Sequence, residues 1–174
     1  MEQFNIVNDI LDFAIENEIE AYKFYTDLAA KMNNPTMNPV RDKASLMPDG
    51  RQERPVSNGM KQVFLDFADE EKTHRKLLED AREGKKVKIG GENIADLKIA
   101  EFTVAVKPTP NMSYKDALIL AMQKEKKSFQ LYSKLAHLIE EKSAAELFGS
   151  LAQQEAKHKL RFELEYDEVV LKED

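Results

Sequence analysis

Glu155-Ala156-Lys157-His158 lies near the C-terminal end of the chain, and Glu71-Lys72-Thr73-His74 lies 84 residues before it. Residues three apart in a helix share one face. Each of these stretches can therefore bring a carboxylate and an imidazole to a single point. Each also sits in an apolar row with helical spacing. Around the earlier pair the row reads Met60, Phe64, Phe67, Glu71, His74, Leu78, Ala81. Around the later pair it reads Ala144, Phe148, Leu151, Glu155, His158, Phe162. The expected helices are Met60 to Glu83, with Gly84 as the stop, and Ser143 to Tyr166. Gly149 weakens the latter by about 1 kcal/mol relative to alanine.

Two further periodic rows each hold a single glutamate. The first is Val7, Leu11, Ala14, Glu18, Ala21, Tyr25, Leu28, Met32, within a helix expected over Asn5 to Met32. The second is Tyr114, Leu118, Ala121, Glu125, Ser128, Tyr132, Leu135, Ile139, in a helix capped by Ser113 with Asp116 in its first turn. The four rows repeat in pairs. Glu18 and Tyr25 recur as Glu125 and Tyr132 at an offset of 107; Phe64, Ala68, Glu71 and His74 recur as Phe148, Ala152, Glu155 and His158 at an offset of 84. A lone Glu on each of two helices, with Glu-x-x-His on each of the others, is the donor pattern of di-iron and di-manganese carboxylate bundles. The expected fold is all-α: one domain over residues 1–174, a ferritin-like four-helix bundle with one long crossover connection between helices 2 and 3.

The connections support that topology. Residues 33–59 hold four of the six prolines, which cannot sit inside a helix. The expectation there is a long irregular loop with a turn at Pro48-Asp49-Gly50, read as loosely packed chain, as a lid, or as a tether that lets helix 1 swap into a partner. Residues 85–111 form the crossover, with Gly90-Gly91 at one end and Pro108 and Pro110 at the other. Within it, Ile94 to Val106 suits a short helix or an extended segment. The final acidic stretch, Asp167 to Asp174, is expected to fray.

Composition removes other functions. Net charge is −6, which gives no basic footprint for nucleic acid or an anionic membrane. The longest apolar run, Ala117 to Met122, is far too short to span a bilayer. There is no cysteine, so thiolate sites and disulfides are excluded, and a cytoplasmic location is expected.

The chemistry follows from the cost of burying charge. An unpaired buried carboxylate costs several kcal/mol, against a total stability of about 5–15 kcal/mol. Glu18, Glu71, Glu125 and Glu155 all fall on otherwise apolar rows. Two divalent cations balance four carboxylates, and oxygen and imidazole donors without thiolate suit iron or manganese. Glu71 and Glu155 are assigned as bridges because each shares its face with a histidine; Glu18 and Glu125 are terminal ligands. Tyr25 and Tyr132 are candidates to hydrogen-bond a ligand carboxylate, or else are ordinary core aromatics. The bland alternative is a structural bundle with protonated, solvated or lysine-paired glutamates. His137 is expected at a surface or helix end, the phenylalanines as core filling, and Lys124, Lys126 and Lys127 as a solvated face.

The stretches Ala14–Tyr25, Phe67–His74, Glu125–Tyr132 and Glu155–His158 resemble the rubrerythrin-like branch of the ferritin-like superfamily. The resemblance implies a non-haem di-iron centre (two iron ions, with manganese as the alternative) held by Glu18, Glu71, His74, Glu125, Glu155 and His158. It also implies reduction of hydrogen peroxide or dioxygen, and a dimer or higher oligomer. Three features depart from that pattern. Without cysteine there is no rubredoxin domain, so electrons must come from a separate donor such as a rubredoxin-like protein. Ser128 stands where the family carries an extra Glu, which shifts the expectation toward oxygen activation or ferroxidase chemistry. The 33–59 loop is longer than the usual link. The leading expectation is a di-iron oxidoreductase working as a homodimer, with domain swapping open. The alternatives are a ferroxidase or iron-storage protein and a non-catalytic helical interaction module.

Overall fold

The computed structural model describes residues 2–32, 56–84, 99–104, 109 and 112–170. They form four long helices: α1 (Glu2–Lys31), α2 (Val56–Glu83), α3 (Tyr114–Leu138) and α4 (Lys142–Val170), with a short 3-10 helix at Ile99–Phe102 between α2 and α3. At 1.5 Å per residue each long helix spans roughly 40 Å.

Local chemistry sets the helix ends. The Ser113 hydroxyl accepts from the Asp116 N–H and donates to its carboxylate, capping α3 as expected. Glu141 does the equivalent for α4, its carboxylate accepting from the backbone N–H of Ser143 and Ala144. Gly84 follows the last residue of α2, its N–H donating to the Asp80 carbonyl. Helix α2 begins at Val56 rather than Met60, because the proline-free run after Pro55 lets the helix propagate back. Most of the expected loop, 33–55, lies outside the described residues. Helix α4 continues to Val170 rather than fraying from Asp167. Tyr166 packs against the core there and stacks under the Lys115 ammonium.

The packing partners give the topology. α1 pairs closely with α2, and α3 with α4. Along α1, Asp12 meets Arg82, Glu18 meets His74, and Tyr25 meets Phe64, so α2 runs antiparallel to it. Tyr132 meets Phe148 and Tyr114 meets Glu165, so α3 and α4 are also antiparallel. Across the pairs, Glu18 meets Tyr132 and Lys31 meets Thr109, which sets α3 antiparallel to α1 and hence parallel to α2. Parallel neighbours in sequence require a connection that returns along the bundle. The expected crossover is therefore present, and its 3-10 turn lies against α3. The Lys127 ammonium donates to the Glu101 carbonyl, and Lys134 lies over the Phe102 ring. Lys127 is thus a crossover anchor rather than a solvated residue. Lys124, also expected in solvent, is mostly covered, beside Glu20 and over the Phe24 ring.

The core divides into two apolar clusters. One is built on Leu11, Ala14, Leu78, Leu131, Leu135, Phe148 and Leu151; the other on Phe24, Leu28, Met60, Phe64, Leu118, Ala121 and Phe162. Among the described residues, six of the seven buried polar side chains lie at the level between them.

Gly149 has no heavy atom within 4 Å of the position a Cβ would take. Gly149→Ala should therefore stabilise the helix by about 0.5–1 kcal/mol, raising Tm by about 1–4 °C. Ser113→Ala should cost about 1 kcal/mol through the lost cap. Thermal unfolding followed by circular dichroism checks both signs.

Candidate metal centre

The heptad-like rows turn Glu18 of α1, Glu71 and His74 of α2, Glu125 of α3, and Glu155 and His158 of α4 into the bundle axis. All six are at most 2 % exposed. The three-residue step from Glu to His on α2 and α4 puts each pair on one face. Antiparallel packing then brings the two pairs to the same level from opposite sides. The imidazole rings lie 6.1 Å apart, tilted by only 19°.

Each histidine aims Nδ1 inward. His74 Nδ1 is 3.0 Å from Glu155 Oε1, 3.3 Å from Glu71 Oε2 and 3.6 Å from Glu18 Oε2. His158 Nδ1 is 3.2 Å from Glu71 Oε1 and 3.5 Å from Glu125 Oε2. The donor atoms fall into two groups, each within 4.8 Å: Glu18, Glu71, His74 and Glu155; and Glu71, Glu125, Glu155 and His158. Glu71 and Glu155 belong to both groups, Glu18 and Glu125 to one each.

These contacts are close but are not hydrogen bonds. Glu71 Oε1, His74 Nδ1, Glu125 Oε2, Glu155 Oε1 and His158 Nδ1 are all buried without a hydrogen-bond partner. Buried polar atoms are almost always satisfied, and each that is not costs about 1–3 kcal/mol. Five such atoms converging on one level fit cations at two adjacent points, and the N/O donor set suits iron or manganese.

Outward-facing atoms fix the rings. His74 Nε2–H donates to Gln154 Oε1 at 3.0 Å, and His158 Nε2–H donates to Glu70 Oε2 at 3.1 Å. When the ring is neutral, as a metal ligand must be, this leaves Nδ1 with its lone pair aimed at the centre. The Tyr132 hydroxyl donates to Glu18 Oε1. Tyr25 makes no such contact. Its hydroxyl is buried without a partner, and its ring is enclosed by Phe24, Phe64, Phe67 and Phe162. Phe67, read from sequence as core filling, stacks on the His158 ring at 4.1 Å between centroids. His137 is exposed at the end of α3, its Nδ1 against the Ser133 carbonyl.

Glu70 and Gln154 were not singled out from the sequence. Their signal was the 84-residue offset, since each directly precedes a site glutamate. The buried pair in which the Tyr114 hydroxyl donates to Glu165 at 3.0 Å was also missed, because Glu165 belongs to neither repeat.

Electrostatics shows what the cluster does when protons alone balance it. Burial, then the charge of Glu71, pushes the Glu18 carboxyl well above its usual range. Burial, then Glu71 and Glu125, does the same to Glu155. Burial opposes ionisation of Glu71, but the protons on Glu18 and on both imidazoles that face it outweigh burial and hold this carboxyl low. Burial would also lower the imidazoles. Instead Glu155, Glu18 and Glu71 hold His74 well above its ordinary value, and Glu125 and Glu71 push His158 up to about 10. Protons thus stand where cations fit.

The model of the family described as the ferritin-like domain matches residues 7–163, and the chain belongs to that family. No curated protein and no solved structure matches the chain closely enough for comparison.

The pH dependence of the chelated protein follows from these shifts. Stabilisation by the His158 proton is complete below about pH 6.5, its ordinary value, and is lost as pH rises through about 10. The raised Glu18 and Glu155 also lose their contribution as pH rises. Glu71, held low, is already ionised across this window. Chelated protein should therefore melt at progressively lower temperature from pH 6.5 to 10. A flat or rising Tm in a calorimetric series would contradict the assignment.

Proposed function

We propose that the protein is a non-haem di-iron oxidoreductase of the rubrerythrin-like kind, reducing hydrogen peroxide or dioxygen with electrons from a separate donor. The observation that carries this reading is the set of five buried, unpartnered donor atoms on Glu71, His74, Glu125, Glu155 and His158. Glu18 completes the set from its place beside His74. Glu71 and Glu155 would be shared between two ions, and Glu18 and Glu125 would each serve one. Four carboxylates then balance two divalent cations. Two ferrous ions held by these residues would supply, one electron each, the two electrons that reduction of a peroxide bond requires.

The chain's own residues do the rest. Gln154 and Glu70 hold the rings in the tautomer that presents Nδ1. Tyr132 fixes Glu18 in orientation and keeps a proton at its hydroxyl next to the site. Phe67, against His158, covers one side, and the cage around Tyr25 keeps that side apolar. A dry wall strengthens every electrostatic interaction within it.

Among the described residues no helix is long and apolar enough to cross a membrane. A rubredoxin-like partner as donor and a homodimer as the working unit belong to the same proposal. Ferroxidase activity is the second reading, favoured by Ser128, which stands at the sequence position where the rubrerythrin-like pattern carries an additional Glu.

Protein purified without oxygen and supplied with ferrous iron should hold two ions per chain by elemental analysis. Adding peroxide should then produce near-ultraviolet charge-transfer absorption. A flat spectrum counts against the redox reading, and a large hollow shell on sizing would move it to iron storage. Chelation should lower Tm: a ligand at a hundred times its Kd contributes about 2.7 kcal/mol, or roughly 5–11 °C in a chain of this size. Melting indifferent to chelation would instead favour a purely structural module. Glu155→Ala removes a group common to both donor sets and should reduce bound iron to one ion or none.

A further inference from the structure

The repeat makes the inward-facing atoms of the two halves alike, but it does not make their surroundings alike. Glu70 and Gln154 occupy the same position at the offset of 84, yet one is a carboxylate and the other a neutral amide. His158 Nε2–H donates to the carboxylate and His74 Nε2–H to the amide. Tyr25 and Tyr132 are likewise equivalent at the offset of 107. The Tyr132 hydroxyl donates to Glu18, whereas the Tyr25 hydroxyl donates to nothing, and Glu125 Oε2 has no hydrogen-bond partner.

Both differences act in one direction. A carboxylate accepting from Nε2–H raises the basicity of the opposite nitrogen more than an amide does. It also adds a negative charge beside the group of donors that includes His158. A phenol donating to Glu18 draws negative charge away from a carboxylate in the other group. We propose that the two cation positions are unequal. The one formed by His158 and Glu125 with the shared Glu71 and Glu155 binds first and more tightly; the one formed by His74 and Glu18 is the weaker, exchangeable position. This rests on the reading that two divalent cations bind. Glu70 and Gln154 are the positioning residues that set the difference, and Tyr132 adds to it. The side chain of Glu70 is 48 % exposed, so solvent screens part of its charge. The expected inequality therefore falls at the low end of the 10–100-fold range typical of such partners, at about tenfold.

The test is an anaerobic calorimetric titration of the metal-free full chain with ferrous iron. Wild type should show two steps separated by about tenfold beyond the statistical ratio for identical sites. Glu70→Gln gives His158 the same kind of partner as His74; it should weaken the first step and leave the second, so that the two converge. Gln154→Glu should tighten the second step. Zinc, a diamagnetic divalent ion, added at one equivalent should shift the His158 ring resonances more than those of His74 in an NMR spectrum. Circular dichroism confirms that both variants fold. Two equivalent steps in wild type, zinc-induced shifts that fall equally on both histidines, or a Glu70→Gln variant that weakens both steps alike would overturn the inequality while leaving the two-cation reading intact. Binding of fewer than two ions would instead overturn the two-cation reading on which the inequality stands.

Discussion

Everything in this bundle is arranged around the need to compensate four carboxylates and two imidazoles enclosed in its axis. Their burial carries a desolvation cost that well-packed apolar residues of similar volume would not carry. The chain meets it in two ways. Some atoms find protein partners: Glu18 accepts a hydrogen bond from the Tyr132 hydroxyl, and each Nε2–H finds an oxygen. The others face one another with nothing of opposite charge but protons or metal ions to separate them. The site is thus a source of instability that a bound cation would turn into a source of stability.

Such a site survives only inside a scaffold stable enough to hold it. The two apolar clusters supply that, one on each side of the polar level. Leucine, phenylalanine and methionine interdigitate above and below, and at about 25 cal/mol per Å² of apolar area removed from water they supply the main driving force. Because the clusters flank the site instead of mixing with it, the charged groups have no room to rotate toward solvent. The crossover is pinned to α3 through Lys127 and Phe102, so the two hairpins are joined as well as packed.

Much of this was legible in the residues. The rows of apolar side chains at steps of three and four fixed four helices, and the intrusion of one glutamate into each row marked the level of the site. The internal offsets of 107 and 84 related the halves. What could not be read was anything that depends on which side chain lies opposite which. Phe67 was indistinguishable from core filling until α4 placed His158 against it. Lys124 and Lys127 looked like solvated charges because their partners, Phe24 and Glu101, come from elements distant in the chain. Tyr25 and Tyr132 were identical by pattern, and only one of them reaches a carboxylate.

The division has a physical origin. Helical periodicity is a local property: 3.6 residues per turn puts Glu71 with His74, and Glu155 with His158, on one face whatever surrounds them. The candidate donor residues, the helix number and the apolar character of the rows were therefore legible in the amino-acid order alone. Hydrogen-bond partnership across helices is different, because it depends on axial register and rotation, to within an ångström, of elements 80 to 114 residues apart. Those are set by how whole surfaces interlock. Only the packed bundle decided that one imidazole leans on a carboxylate and the other on an amide.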